Sequence, residues 1–265
     1  AGVTDVMMEH DICPDGLIGV SAGAAFGCNY KSKQVGRAIR YNMRFANDSR
    51  YSGIKSLLTS GDYFNAKFGY HVVPYEYDVF DIATFEQNPL EFTIVCTDVE
   101  TGEAVYHVID HVDYDELEWL RASASMPLVS RVVEVQGHKL LDGGVSDSIP
   151  LQYFEEHGYQ RNVVILTQPK GYQKAHNKLM PLMRLSLRKY PLMVKALDER
   201  HIMYNKQLDY VAQAEQEGRC LVIRPDEVIP IGHISHNSQQ MHFIYLLGRM
   251  VGERYIERII AVYEN

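Results

Sequence analysis

The stretch "LIGVSAGAAFG", residues 17–27, constrains this chain more than any other. A short apolar run at 17–20 has strand character, and small, Ala-rich sequence suited to a helix follows at 22–30. Between them sits Gly19-Val20-Ser21-Ala22-Gly23. Flanking glycines remove Cβ atoms that would collide where a backbone doubles back from strand into helix, so Ser21 is made to protrude from a tight turn. A close-packed strand-to-helix turn of an α/β fold would use the same small residues without any chemistry.

The remaining pattern extends that α/β reading. Helical spacing covers 3–10, and Pro14 with Asp15-Gly16 marks a turn before the first strand. Helices are expected near 33–45 and 51–58, then a loop-rich stretch through 62–82. "FTIVCTDV" at 92–99 and "AVYHVI" at 104–109 predict a hairpin across Thr101-Gly102. A helix at 113–125 has an acidic first turn, as the helix dipole favours. "RVVEV" and "HKLLDGG" predict a second hairpin across Gln136-Gly137. Pro150 opens a helix near 150–157. Buried strands are expected at 162–168 and 219–225, with long helices at 191–216 and 237–263, the last capped by Asn237 or Ser238. Strands alternating with helices imply a mostly parallel sheet covered on both faces. With no repeat or linker, residues 1–265 read as one domain, 170–265 being a largely helical extension around one late strand.

At 265 residues, 46% hydrophobic and 23% charged, the chain can bury a sizeable core. A net charge of −8 argues against a nucleic-acid partner. Cys13, Cys28, Cys96 and Cys220 show no CxxC spacing, so they read as buried thiols of a reducing compartment. No signal peptide or membrane-spanning run is evident, and a cytoplasmic location is the expectation. The chain starts at Ala1-Gly2-Val3, already inside a helix, so an upstream segment is expected.

Ser21 is a nucleophile only if a base takes its proton. Its place at a helix N-terminus would favour developing negative charge, with the Ala22 N–H as one donor. Four candidate partners come into question. Asp142 ends a short strand and enters Gly143-Gly144, although Asp-Gly turns are common without function. His233 and His236 would give the Ser–Asp–His order of a histidine-dependent α/β-hydrolase, but that fold places its elbow after several strands. Asp98 sits at a strand end and also reads as a turn residue.

Four blocks taken together are more specific. "DICPDGLIGVSAGAAFGCNY", "TDVETGE" at 97–103, "RASASMPLVS" at 121–130 and "LLDGGVSDSIPL" occur in the order and spacing of the patatin-like phospholipases, which residues 1–152 resemble. The helical tail resembles the bacterial, cytoplasmic branch of that family. The resemblance implies a three-layer α/β/α fold and a Ser–Asp dyad without histidine, Ser21 as nucleophile and Asp142 as base. It also implies hydrolysis of lipid acyl esters through an acyl-enzyme, with no metal or organic cofactor. A free aspartate, pKa near 3.9, is a weak base toward a hydroxyl, so the dyad demands direct contact and partial desolvation. The family's Gly-rich oxyanion loop lies upstream of Ala1. A non-catalytic lipid- or partner-binding module is the other class that this resemblance allows.

Lys170 to Leu197 contains seven basic residues and no acid, interleaved with leucine and methionine. Such a stretch suits peripheral contact with an anionic membrane, or a helical cap with solvated charges. Pro181 and Pro191 divide it into short helices. The aromatics at 63–80, from Tyr63 to Phe80, would line an acyl pocket or fill core and loops. His107, His111 and Asp113 cluster without metal-ligand spacing.

Overall fold

The computed structural model describes residues 1–53, 56–57, 61–229 and 237–264. It is a mixed α/β fold built on β2 (Glu91–Asp98), which is buried from Phe92 to Thr97. Parallel β1 (Gly16–Val20) pairs with it from Gly16↔Glu91 to Val20↔Val95. Antiparallel β3 (Ala104–Val108) pairs with Thr93 to Thr97, and antiparallel β5 (His138–Asp142) with Cys96 to Asp98. β4 (Val133–Val135) completes this sheet against β5.

A strand has only two hydrogen-bonding edges. Because β3 overlaps the pairing segments of both β1 and β5, the latter two share the opposite edge of β2. They run toward each other, β1 ending opposite Val95 and β5 ending opposite Cys96. The register alone therefore sets residues 21 and 142 beside each other.

Helices cover the sheet. α1 (Gly2–Glu9), α2 (Ala22–Lys31), α3 (Arg37–Phe45), α4 (Ala66–His71) and α5 (Ile82–Gln87) precede β2. α6 (Tyr114–Ser123) lies between the hairpins, its N-terminus capped by Asp113, whose carboxylate accepts from Glu116 N–H. α7 (Leu151–Glu156) leads to β6 (Asn162–Ile165). α8 (Met180–Ser186), α9 (Pro191–Gln216), β7 (Cys220–Ile223) and α10 (Ser238–Glu264) follow. β6 and β7 form their own parallel pair. β7 alternates as a doubly covered strand should: Leu221 and Ile223 join a core with α1 and α10, whereas Cys220 and Val222 pack with Val211 and Ala214 of α9. α10 is fixed to α1 by Tyr245 Oη donating to Asp5 (2.7 Å) and by Arg249 donating to Glu9.

Several expectations change in detail. The stretch 62–82 is helical rather than loop-rich, with α4, a π turn at Val73–Tyr77 and the start of α5. Its Asn, Pro and Asp are terminus residues: Asn65 and Asp81 accept from the N–H groups of Phe68 and Thr84, and Pro74 opens the π turn. Phe68 and Tyr77 meet Phe45 edge to face, with ring centroids 5.4 and 5.7 Å away, which holds these turns together. The helix expected from residue 33 starts at Arg37, because Gly36 takes φ +73°. Part of the helix expected at 51–58 lies outside the described residues. The basic segment contains one short helix, with Pro181 in its first turn, and Pro191 opens the 26-residue helix expected at 191–216. Cys28, Cys96 and Cys220 are buried, whereas Cys13 is exposed.

Phe92 is fully buried at the middle of the fold and Val79 is 64% exposed. Phe92→Ala should cost about 3–5 kcal/mol by urea denaturation, from lost burial plus a cavity. Val79→Ala should stay within about 0.5 kcal/mol.

Candidate active site

Ser21 occupies the turn between β1 and α2 with φ 55° and ψ −118°, a conformation that non-glycine residues rarely adopt. Three contacts hold it there. The Ser21 N–H donates to Ser123 Oγ (3.1 Å), and Ser123 Oγ in turn donates to the Val95 carbonyl (2.6 Å). The Ser21 carbonyl accepts from Ala24 and Ala25, starting α2. A Cβ on Gly19 would lie 2.6 Å from the Gly23 carbonyl, so only glycine lets the strand fold back this closely. Gly23 differs: a Cβ there meets nothing within 4 Å. Its lack of a side chain keeps the surface beside Ser21 open and relieves no backbone clash.

Ser21 Oγ donates to Asp142 Oδ2 at 2.5 Å. Asp142 is buried at the end of β5. Its other oxygen, Oδ1, accepts from Gly144 N–H at 2.7 Å. The Asp142 backbone is fixed on both sides, its N–H donating to Ser125 O (2.9 Å) and its carbonyl accepting from Thr97 Oγ1 (2.8 Å). Gly143 lies so close to β2 that a Cβ would be 2.1 Å from the Val95 carbonyl. Arg200 of α9 reaches across to donate Nε–H to the Gly144 carbonyl at 2.5 Å. Beyond the turn, buried Asp147 accepts from Tyr106 and Gln207, each at 2.6 Å, and burial pushes its carboxyl above the usual range.

At the head of α2 the N–H groups of Ala22 and Gly23 belong to the first turn, where a helix leaves its amides without intrahelical partners. Both residues are exposed. From Ser21 a cavity of about 290 Å³ extends between α2, α4 and α6. Phe26, Phe64, Tyr70, Phe80, Phe85 and Leu120 are among its walls. Of the aromatics at 63–80, then, some line this cavity, whereas Phe68 and Tyr77 pack around Phe45. The cavity also has polar groups. Arg121 lines it while pairing with Glu118 and Asp62, and its buried Nε has no hydrogen-bond partner among the described residues. Burial pushes the phenols of Tyr41 and Tyr70 up, and that of Tyr51 up to about 12.

The other candidates take different places. Asp98 Oδ1 accepts from the N–H groups of Glu100 and Thr101, which makes it the turn residue of the first hairpin. His233 and His236 lie outside the described residues. His111, Asp113 and Glu116 bring ligand atoms within 4.8 Å of one another, and each is already hydrogen-bonded: His111 to Asp110 and Asp113, Glu116 to His107. Ser123, Ser125, Thr97 and Arg200 were not singled out from sequence. The small-residue run at 121–130 was the one signal for the two serines.

A serine on a strand-to-helix elbow in an α/β fold is the architecture of acyl hydrolases. The chain belongs to the patatin-like phospholipase family, whose model matches residues 1–155; the family acts on lipid substrates. A second model, of a domain of unknown function (DUF6363), matches residues 190–264. The chain is also similar to the uncharacterized protein YjjU of Escherichia coli (strain K12), 24% identical over 278 residues, covering 98% of this chain and 73% of the relative.

The glycines give a direct check of this geometry. Gly143→Ala should unfold the protein or cost several kcal/mol by denaturant titration, because the clash is with backbone. Gly23→Ala should be neutral or raise stability by about 0.4–1 kcal/mol, as expected for an unstrained helical glycine.

Proposed function

We propose that this protein hydrolyses lipid acyl esters, of the phospholipase A or lysophospholipase kind, with Ser21 as nucleophile and Asp142 as base. The observation that carries the reading is the 2.5 Å hydrogen bond from Ser21 Oγ to Asp142 Oδ2, made by a serine held at positive φ.

The chemistry follows from the contacts. Ser21 Oγ attacks the ester carbonyl carbon as its proton passes to Asp142 Oδ2. The new Oγ–C bond places negative charge on the former carbonyl oxygen, and the Ala22 N–H, in the first turn of α2, is the donor assigned to receive part of it. Collapse breaks the bond to the leaving alkoxide, which takes the proton back from Asp142. Water then attacks acyl-Ser21, Asp142 accepts its proton and returns it to Ser21 Oγ, and the fatty acid leaves. Throughout, the Gly144 N–H keeps Oδ1 occupied, so Oδ2 faces the serine. The apolar part of the cavity beside Ser21 suits the acyl chain; its size is near the lower end of small-molecule sites, roughly 300–1,000 Å³.

Turnover of a short-chain nitrophenyl ester and of phosphatidylcholine by the full-length protein tests this. Ser21→Ala should abolish both activities. Asp142→Asn should lower kcat by about 10²–10⁴, the usual share of a general base. Ester turnover that survives Ser21→Ala would overturn the assignment.

A further inference from the structure

α8 is apolar on two sides. Met180 and Met183, with Leu187 just past its end, are buried and pack with Leu141 and Val145, the neighbours of Asp142 and Gly144. On the outward side Leu179, Leu182 and Leu185 are 52–66% exposed, and Leu192 at the start of α9 is 50% exposed. The outward stripe of a solvated helix is ordinarily polar. Contiguous exposed leucines on one short helix mark a contact surface.

The charges around this stripe are one-sided. The segment from Lys170 to Leu197 carries +7, leaving −15 for the remainder of the chain. Arg184 is paired with Asp198 at 3.1 Å. Lys178, Arg188, Lys189 and Lys195 are exposed and have no ion-pair partner among the described residues. A nucleic acid would be met by the cations and would leave the leucines in water. A surface that offers both phosphates and hydrocarbon satisfies the two together.

We propose that the outer face of α8 and the first turn of α9 form a docking surface for an anionic lipid bilayer. The leucines enter the boundary between headgroups and acyl chains, and the four unpaired cations meet the phosphates. The surface is joined to the turn that carries Asp142, because the inner side of α8 packs on Leu141 and Val145 and Arg200 of α9 holds the Gly144 carbonyl; its own residues do not line the cavity beside Ser21. Docking there keeps the protein on ester-bearing lipid, a consequence for turnover that rests on the proposed hydrolase activity; the docking itself does not.

The test is flotation of full-length protein carrying Ser21→Ala with vesicles of phosphatidylcholine, alone or mixed with phosphatidylglycerol. The protein should float with the mixed vesicles and bind neutral ones at least tenfold more weakly. Replacing Lys178, Arg188 and Lys189 together by Gln should weaken binding on the order of 100-fold, at about 1 kcal/mol per surface cation. Leu182→Ser with Leu185→Ser should weaken it by about tenfold or more. With Ser21 restored, both variants should keep short-chain ester turnover and lose turnover of vesicle lipid. Equal flotation with both vesicle types would overturn the proposal. So would substitutions without effect, or leucine substitutions that only convert a dimer to monomer, since a second copy would then be the occupant.

Discussion

The arrangement depends on β1 and β5 sharing one edge of β2 and meeting end to end. β1 runs parallel to β2 and stops opposite Val95; β5 runs antiparallel and stops opposite Cys96. Two residues far apart in sequence, Ser21 and Asp142, are thereby fixed by backbone hydrogen bonds of the central strand. The close approach has local requirements. Gly143 must pass over the Val95 carbonyl, and Ser123 must tie the elbow to that same carbonyl. Val95 is therefore the common anchor of both halves of the site.

What the sequence showed, and what it hid, follows from that constraint. The elbow is local: strand, glycine, serine and helix lie within a dozen residues, so Ser21 stands out. The tip of the second hairpin is also local, but nothing in "LLDGG" says which strand β5 pairs with or where it ends against it. Asp142 and Asp98 both read as turn residues for that reason. Only the order of four blocks, through the family resemblance, separated them; in the structure Asp98 closes its own hairpin. Arg200 was invisible because its contact with Gly144 spans 56 residues and the chemistry is a main-chain carbonyl. The helical character of 62–82 was hidden by capping residues that also mark loops. Of the two elbow glycines only Gly19 is required by backbone crowding, a difference that the motif does not show.

The C-terminal part is structurally joined to the site. The region matched by the domain of unknown function contains α9, β7 and α10. α10 packs on α1 and shares a core with Leu221 and Ile223, while α9 supplies Arg200 to the turn after Asp142. No helix among the described residues is long and apolar enough to cross a membrane. On our proposal, lipid is reached through the leucines and cations of α8 and the start of α9.

The central claim is that Ser21, activated by Asp142, is the acylated residue. Peptide mass spectrometry of full-length protein treated with a fluorophosphonate tests it most directly. One covalent adduct on the peptide containing Ser21, formed much more slowly in Asp142→Asn and absent in Ser21→Ala, is the expected result. An adduct on another serine, or labelling of Ser21 unchanged by Asp142→Asn, would contradict it.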